Sequence, residues 1–269
     1  LTLTKETADV LSSNYFQEQL SNRLISVLLI SFFSVLLFIY SGAISNQLNA
    51  TAKRFEKVAG FLSSSVKYLL RYVALYSLIH LAQSLNIFGI RGDLIAENFY
   101  VWVGYFILAL WLAERLQMAW HVFEADNLND RNIEKFAVLG ALILVAQEYG
   151  SEVSRLQLIE QQSYEVFTSA ITVLAGIMLW RISASMKLVI SGDSSGGSLR
   201  LKLLGFLRRI IIGVAIISPL IAAIGYVNAG SAIAVPMVKT LGFLALIVIL
   251  QRLTFDIYAA ILNKSEEET

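Results

Sequence analysis

Seven long apolar runs divide the chain, at approximately residues 24–44, 68–85, 99–119, 136–149, 166–180, 210–226 and 232–253. An α-helix rises about 1.5 Å per residue, so about 20 mostly apolar residues cross the hydrocarbon core of a bilayer. Most of the runs meet that length, and the fourth and fifth are the short ones. Successive crossings must alternate in direction. The pattern therefore predicts an all-α polytopic membrane protein, with about seven transmembrane helices arranged as antiparallel hairpins. It divides the chain into a periplasmic amphipathic segment (1–23), a hairpin region (24–262) and a cytoplasmic tail (263–269).

Composition agrees, because 57% hydrophobic and 15% charged residues are far from the balance of a soluble domain of this length. A net charge of +1 and the lack of any basic block interleaved with aromatics argue against nucleic acid as a partner. The chain has no cysteine, which excludes a disulfide framework, a thiolate metal site and a thiol nucleophile.

Basic residues fix an expected orientation. Lys53, Arg54, Lys57 and Lys67 follow the first run, Arg115, Arg131 and Lys135 mark the end of the third, and Arg181, Lys187, Arg200 and Lys202 follow the fifth. The other three gaps hold only Arg91 and Arg155. By the positive-inside rule the basic gaps are cytoplasmic, which places the N-terminus outside and the C-terminus inside. Phe99, Tyr100, Trp102 and Tyr105 at one end of the third run, with Trp120 and His121 beyond the other, read as interfacial anchors.

The chain opens on Leu1, and residues 6–20 are polar but studded with Val10, Leu11, Tyr15 and Phe16. A periplasmic start requires export, so an upstream segment is expected. The acidic residues 265–269 suggest that a further cytoplasmic domain follows.

Residues 191–198, SGDSSGGS, read as a flexible linker, with Gly192, Gly196 and Gly197 as candidate hinge positions. Pro219 is expected to kink the sixth helix, and Pro236 to fall in the first turn of the seventh. The turn between those two helices is placed at residues 227–231. Residues 199–209, LRLKLLGFLRR, read either as an interfacial helix or as an early start of the sixth span. Residues 151–162 are expected to extend the fourth or fifth helix along the surface.

Ionisable groups inside a span are costly and often functional. Arg71 is placed one turn from the cytoplasmic end of the second helix, where snorkelling is the default. His80 and Gln83 are candidates for interhelical hydrogen bonding. Arg252 and Asp256 are four apart and can pair along one helix face. Lys239 is placed near the outer end of its helix. Arg71, Arg200, Lys202, Arg208, Arg209, Lys239 and Arg252 are the candidate contacts to lipid headgroups, and membrane lipids are the expected partner. No HExxH, phosphate loop or GxSxG elbow occurs. No catalytic centre, cofactor or metal site is therefore expected.

Residues 224–262 read IGYVNAGSAIAVPMVKTLGFLALIVILQRLTFDIYAAIL. Gly225 and Tyr226 close one helix, a small-residue turn follows, and an aliphatic helix ends in Gln251, Arg252 and Leu253. This segment resembles the large members of the MscS superfamily of mechanosensitive channels, which carry a periplasmic N-terminal region and extra helices ahead of the pore. The resemblance extends loosely over residues 20–262. It implies a tension-sensing periphery without the glycine- and alanine-rich pore helix or the cytoplasmic vestibule, neither of which this sequence matches. It further implies assembly as a homo-oligomeric ring, a heptamer by analogy, that passes ions and small osmolytes. The competing readings are a membrane scaffold or assembly subunit, and a small-solute transporter.

Overall fold

A computed structural model describes residues 12, 14–51, 56–85, 87–120, 130–192 and 199–267. The hinge candidates Gly196 and Gly197 lie outside the described residues, as do residues 1–11, Lys53, Arg54 and His121, and so do the side chains of Trp120 and Arg200. Among the described residues the secondary structure is wholly helical: α1 (Asn14–Thr51), α2 (Glu56–Ser84), α3 (Gly89–Ala96), α4 (Phe99–Trp120), α5 (Asp130–Arg155), α6 (Gln161–Gly192), α7 (Leu199–Ala223) and α8 (Val227–Glu267). Six are long and apolar enough to cross a membrane, namely α1, α4, α5, α6, α7 and α8. The chain is a polytopic all-α membrane protein, and its location is a membrane.

The two short apolar runs prove to be cores of longer helices, 26 residues for α5 and 32 for α6, and both meet the span criterion. The helix that falls short is α2, although its 29 residues would cover the distance. Arg71, His80 and Gln83 interrupt its apolar content. Residues 151–162 extend their neighbours only in part: α5 runs to Arg155 and α6 begins at Gln161, residues 156–160 form the turn between, where Gln157 takes φ 54°, and Val153 is buried rather than on the surface. Residues 199–209 form the beginning of α7 rather than a separate interfacial helix.

Two expectations at the last hairpin need correction. The turn lies at Ile224 to Tyr226, where Gly225 takes φ 106°, a backbone state that a glycine adopts without steric cost. Helix α8 therefore starts at Val227, and Pro236 is inside the helix rather than in its first turn. Gly192, offered as a hinge, is the last residue of α6.

The chain divides into two compact units, residues 1–111 with 253–269, and residues 112–252. In the first, α1 and α2 form an antiparallel hairpin, with Ser41 opposite Arg71 and Ser34 and Phe38 sharing a cleft with Ala74 and Leu78. On the face that α1 turns inward, Ser34, Ser41 and Ser45 are buried and Val27 and Ser31 half-buried, at spacings of three, four and seven residues. Small residues at heptad spacing let two helices approach closely, which replaces hydrophobic driving force as the cause of association in lipid. The remainder of α1 is bare, and only 11% of its span is buried. On its other side α2 meets α4, also antiparallel. Trp111 Nε1 donates to Ser65 Oγ at 3.2 Å, the Phe61 and Trp111 rings meet edge to face at 5.8 Å, and Tyr76 meets Tyr100 at 6.3 Å. Helix α2 thus lies alongside two clear spans, and that packing offsets its modest apolarity. At the start of α4, Phe99 packs on Trp102 at 5.0 Å. Trp102 itself is buried, which makes it a packing residue rather than a member of an exposed aromatic belt.

In the second unit the core joins α5, α6, α7 and α8 through Ile143, Leu179, Ile211 and Ala234, among others. Helix α6 is central, with 44% of its span buried. A Cβ built on Gly176 of α6 would lie 2.6 Å from Pro219 Cγ and 2.9 Å from Ala215 O of α7, so the helices touch backbone to side chain there. Gly230 of α8 approaches α7 in the same way, its Cβ position being 2.6 Å from Ser218 O. Both contacts follow the membrane rule that the smallest residues sit where helices cross most closely.

Candidate functional site

The polar groups carried by these apolar helices are the places where chemistry or recognition can occur. Because α2 begins at Glu56, before the apolar run at Tyr68, Arg71 stands near the middle of the helix rather than one turn from its end. Its Nε donates to Ser41 Oγ at 3.2 Å, and Ser41 donates in turn to Phe38 O at 2.8 Å. The guanidinium also lies 5.6 Å from the Phe38 ring and 5.7 Å from the Tyr68 ring, within the range of cation–π attraction. Among the described residues no carboxylate reaches ion-pair distance of Arg71. Ser41 is completely buried, so it anchors the cation from within the seam. Lys67, one turn earlier on α2, rests 4.8 Å over the neighbouring Tyr68 ring.

Beside Arg71, an apolar cleft of about 170 Å³ opens between α1 and α2. Ser34, Val35, Phe38 and Ile39 line one wall, and Ala74, Leu75 and Leu78 the other.

Lys239 has a partner that the sequence did not indicate. Its Nζ lies 3.3 Å from Glu148 Oε1 of α5, at a sequence separation of 91 residues. Both side chains are about 40% exposed. An ion pair on span helices replaces two unpaired charges next to hydrocarbon, so removing one member should cost more than swapping the two. Glu148→Gln is expected to lower the melting temperature of the detergent-solubilised protein, whereas the exchange Glu148→Lys with Lys239→Glu restores most of the loss. A double-mutant cycle with coupling near zero would show that the pair contributes nothing.

The other candidates are dispersed. Arg208 Nε donates to Ser183 O of α6 at 3.2 Å, which ties the early part of α7 to its neighbour. Lys202 and Arg209 are exposed. His80 is exposed and stacks on Tyr76 of its own helix, 6.1 Å between ring centroids and 3° from parallel. Gln83 is half-buried on the same helix. Arg252 and Asp256 are both half-buried on α8. Pro219 packs against Gly176 and has a structural role. The geometry therefore brings Arg71 together with Ser41 and the cleft, and Lys239 with Glu148.

Sequence reasoning missed Ser41 and Glu148. The four serines at 31, 34, 41 and 45 carried a signal for the first, because their spacing marks one face of α1. Nothing local marked the second. Among the described residues no group of three or more His, Asp or Glu side chains is placed to hold a metal ion. Neither a protein family, nor a curated protein, nor a solved structure matches the chain.

Proposed function

We propose that these helices form the tension-sensing periphery of a mechanosensitive channel of the kind the sequence resembles, embedded in a bacterial inner membrane as a homo-oligomeric ring. The observation that carries the reading is the exposure of α1: only 11% of its span is buried, and large apolar side chains such as Ile25, Leu28, Phe32, Phe33 and Ile39 are exposed along it. A helix faced so broadly by lipid changes its tilt or separation when the bilayer thins or expands. Tension then favours whichever arrangement occupies more area, and only that difference between states shifts the equilibrium. The orientation follows the basic loops, with the N-terminus periplasmic and the C-terminus cytoplasmic.

Patch recording from membranes holding the complete protein is expected to show pressure-gated current. Deleting residues 14–84, which removes α1 and α2, should raise the pressure needed to open it. Gating at the same pressure after that deletion would remove the sensing role. Co-purification of a stoichiometric foreign membrane protein without any pressure response would favour a scaffold instead.

A further inference from the structure

We infer that the α1–α2 hairpin holds one anionic phospholipid, with its phosphate on Arg71 and an acyl chain in the cleft beside it. Three observations place the two halves of such a ligand in order. Arg71 bonds Ser41, three residues from the end of the apolar run of α1 at Ile44. That is about 5 Å inside the run's boundary, within the reach of an arginine side chain toward the headgroup layer. The cleft begins at Ala74 and extends to Leu78 on α2, and from Phe38 back to Ser34 on α1, so it runs from the cation toward the middle of the apolar run. A phospholipid has the same polarity, with its charge at the interface and its hydrocarbon inward.

The chemistry fits at each end. A guanidinium fork matches the oxygens of a phosphate, and Arg71 has only Ser41 and two ring faces as described neighbours. Arg71 has no carboxylate partner among the described residues, which favours a headgroup of net negative charge over a zwitterionic one. The cleft, at about 170 Å³, has apolar walls and is open along one side. It therefore admits a segment of acyl chain. This site depends on membrane embedding alone and stands or falls separately from the channel reading.

Native mass spectrometry of the full chain, stripped of lipid in detergent and titrated with palmitoyl-oleoyl phosphatidylglycerol or phosphatidylcholine, tests it. One equivalent of the glycerol lipid should bind more tightly than the choline lipid. Arg71→Gln should weaken it roughly tenfold, and Arg71→Lys should weaken it less. Val35→Trp, which fills the cleft from an exposed position and leaves Arg71 in place, should also weaken it. Equal affinity for the two lipids, unchanged binding in Arg71→Gln, or displacement of the lipid by millimolar inorganic phosphate alone would overturn the assignment. Should Arg71→Gln lose helical circular dichroism, unchanged binding in Val35→Trp would overturn it by itself.

Discussion

Gly176→Val is expected to destabilise the second unit by on the order of 3 kcal/mol or more, read as a large drop in the melting temperature of the solubilised protein. The reason is local. Pro219 has no N–H, so the carbonyl of Ala215 one turn earlier receives no bond from it within the helix. That carbonyl and the proline ring both face Gly176, at 2.9 Å and 2.6 Å from the position a Cβ would take. A valine there must push α7 away from α6, and the contacts of Leu179, Ile211 and Ala215 in the shared core loosen with it. Gly242→Ala on α8 is the control. No atom lies within 4 Å of its Cβ position, and replacing a helical glycine by alanine stabilises by up to about 1 kcal/mol. Opposite signs for the two substitutions are expected. Wild-type melting of Gly176→Val would mean that α6 and α7 do not cross at that glycine.

Ser41→Leu is expected to separate α1 from α2. Ser41 is completely buried, so the larger side chain costs about 1–3 kcal/mol in overpacking. Losing the Oγ acceptor also strands the Arg71 Nε that it serves at 3.2 Å, at about 1–2 kcal/mol more. Ser41→Ala should show only the second effect. The chain has no native cysteine, so a disulfide between Ser34→Cys and Leu78→Cys reports the pairing without background. Both residues line the same cleft. Efficient cross-linking in the parent, somewhat less in Ser41→Ala and little in Ser41→Leu is the expected order. Equal cross-linking in all three would show that the serine seam does not hold the hairpin.

Much of the architecture was legible because hydropathy is a local property. Five of the seven apolar runs lie wholly within a helix and the other two overrun one end, at residue 85 and at residues 224–226, and the alternation of direction appears in the paired contacts of α1 with α2, α2 with α4 and α6 with α7. What hydropathy could not give is the polar length added to a helix by its neighbours. Residues 56–67 join α2 although they mix polar and apolar residues, so Arg71 stands near the middle of the helix while remaining near the end of its apolar run. The start of α8 at Val227 depends likewise on the Gly225 turn rather than on where apolar residues begin.

The site was less legible than the fold, for a related reason. Arg71 was identifiable as an arginine in an apolar run. Its meaning depends on Ser41, 30 residues away, and on the register that sets the two side by side. Glu148 and Lys239 are further apart still, and each alone looks like an ordinary interfacial charge. Only the crossing of α5 with α8 makes them a pair. The clearances at Gly176 and Gly230 likewise arise from contacts with other helices, whereas in sequence both resemble Gly242, which has open space at its Cβ position.

Lipid as the main counterpart of these helices is the central claim, and α1 tests it most directly. Single cysteines at Leu28, Phe32 and Ile39, all exposed on α1, carry a spin label in the complete protein reconstituted in phosphatidylglycerol-containing bilayers. Collision rates with oxygen, which concentrates in hydrocarbon, are then compared with those of a water-soluble nickel chelate. High oxygen and low nickel accessibility at all three positions is the result predicted. Low accessibility to both reagents would mean that protein covers this face, and high nickel accessibility would mean that water does. Either would contradict a lipid-facing helix.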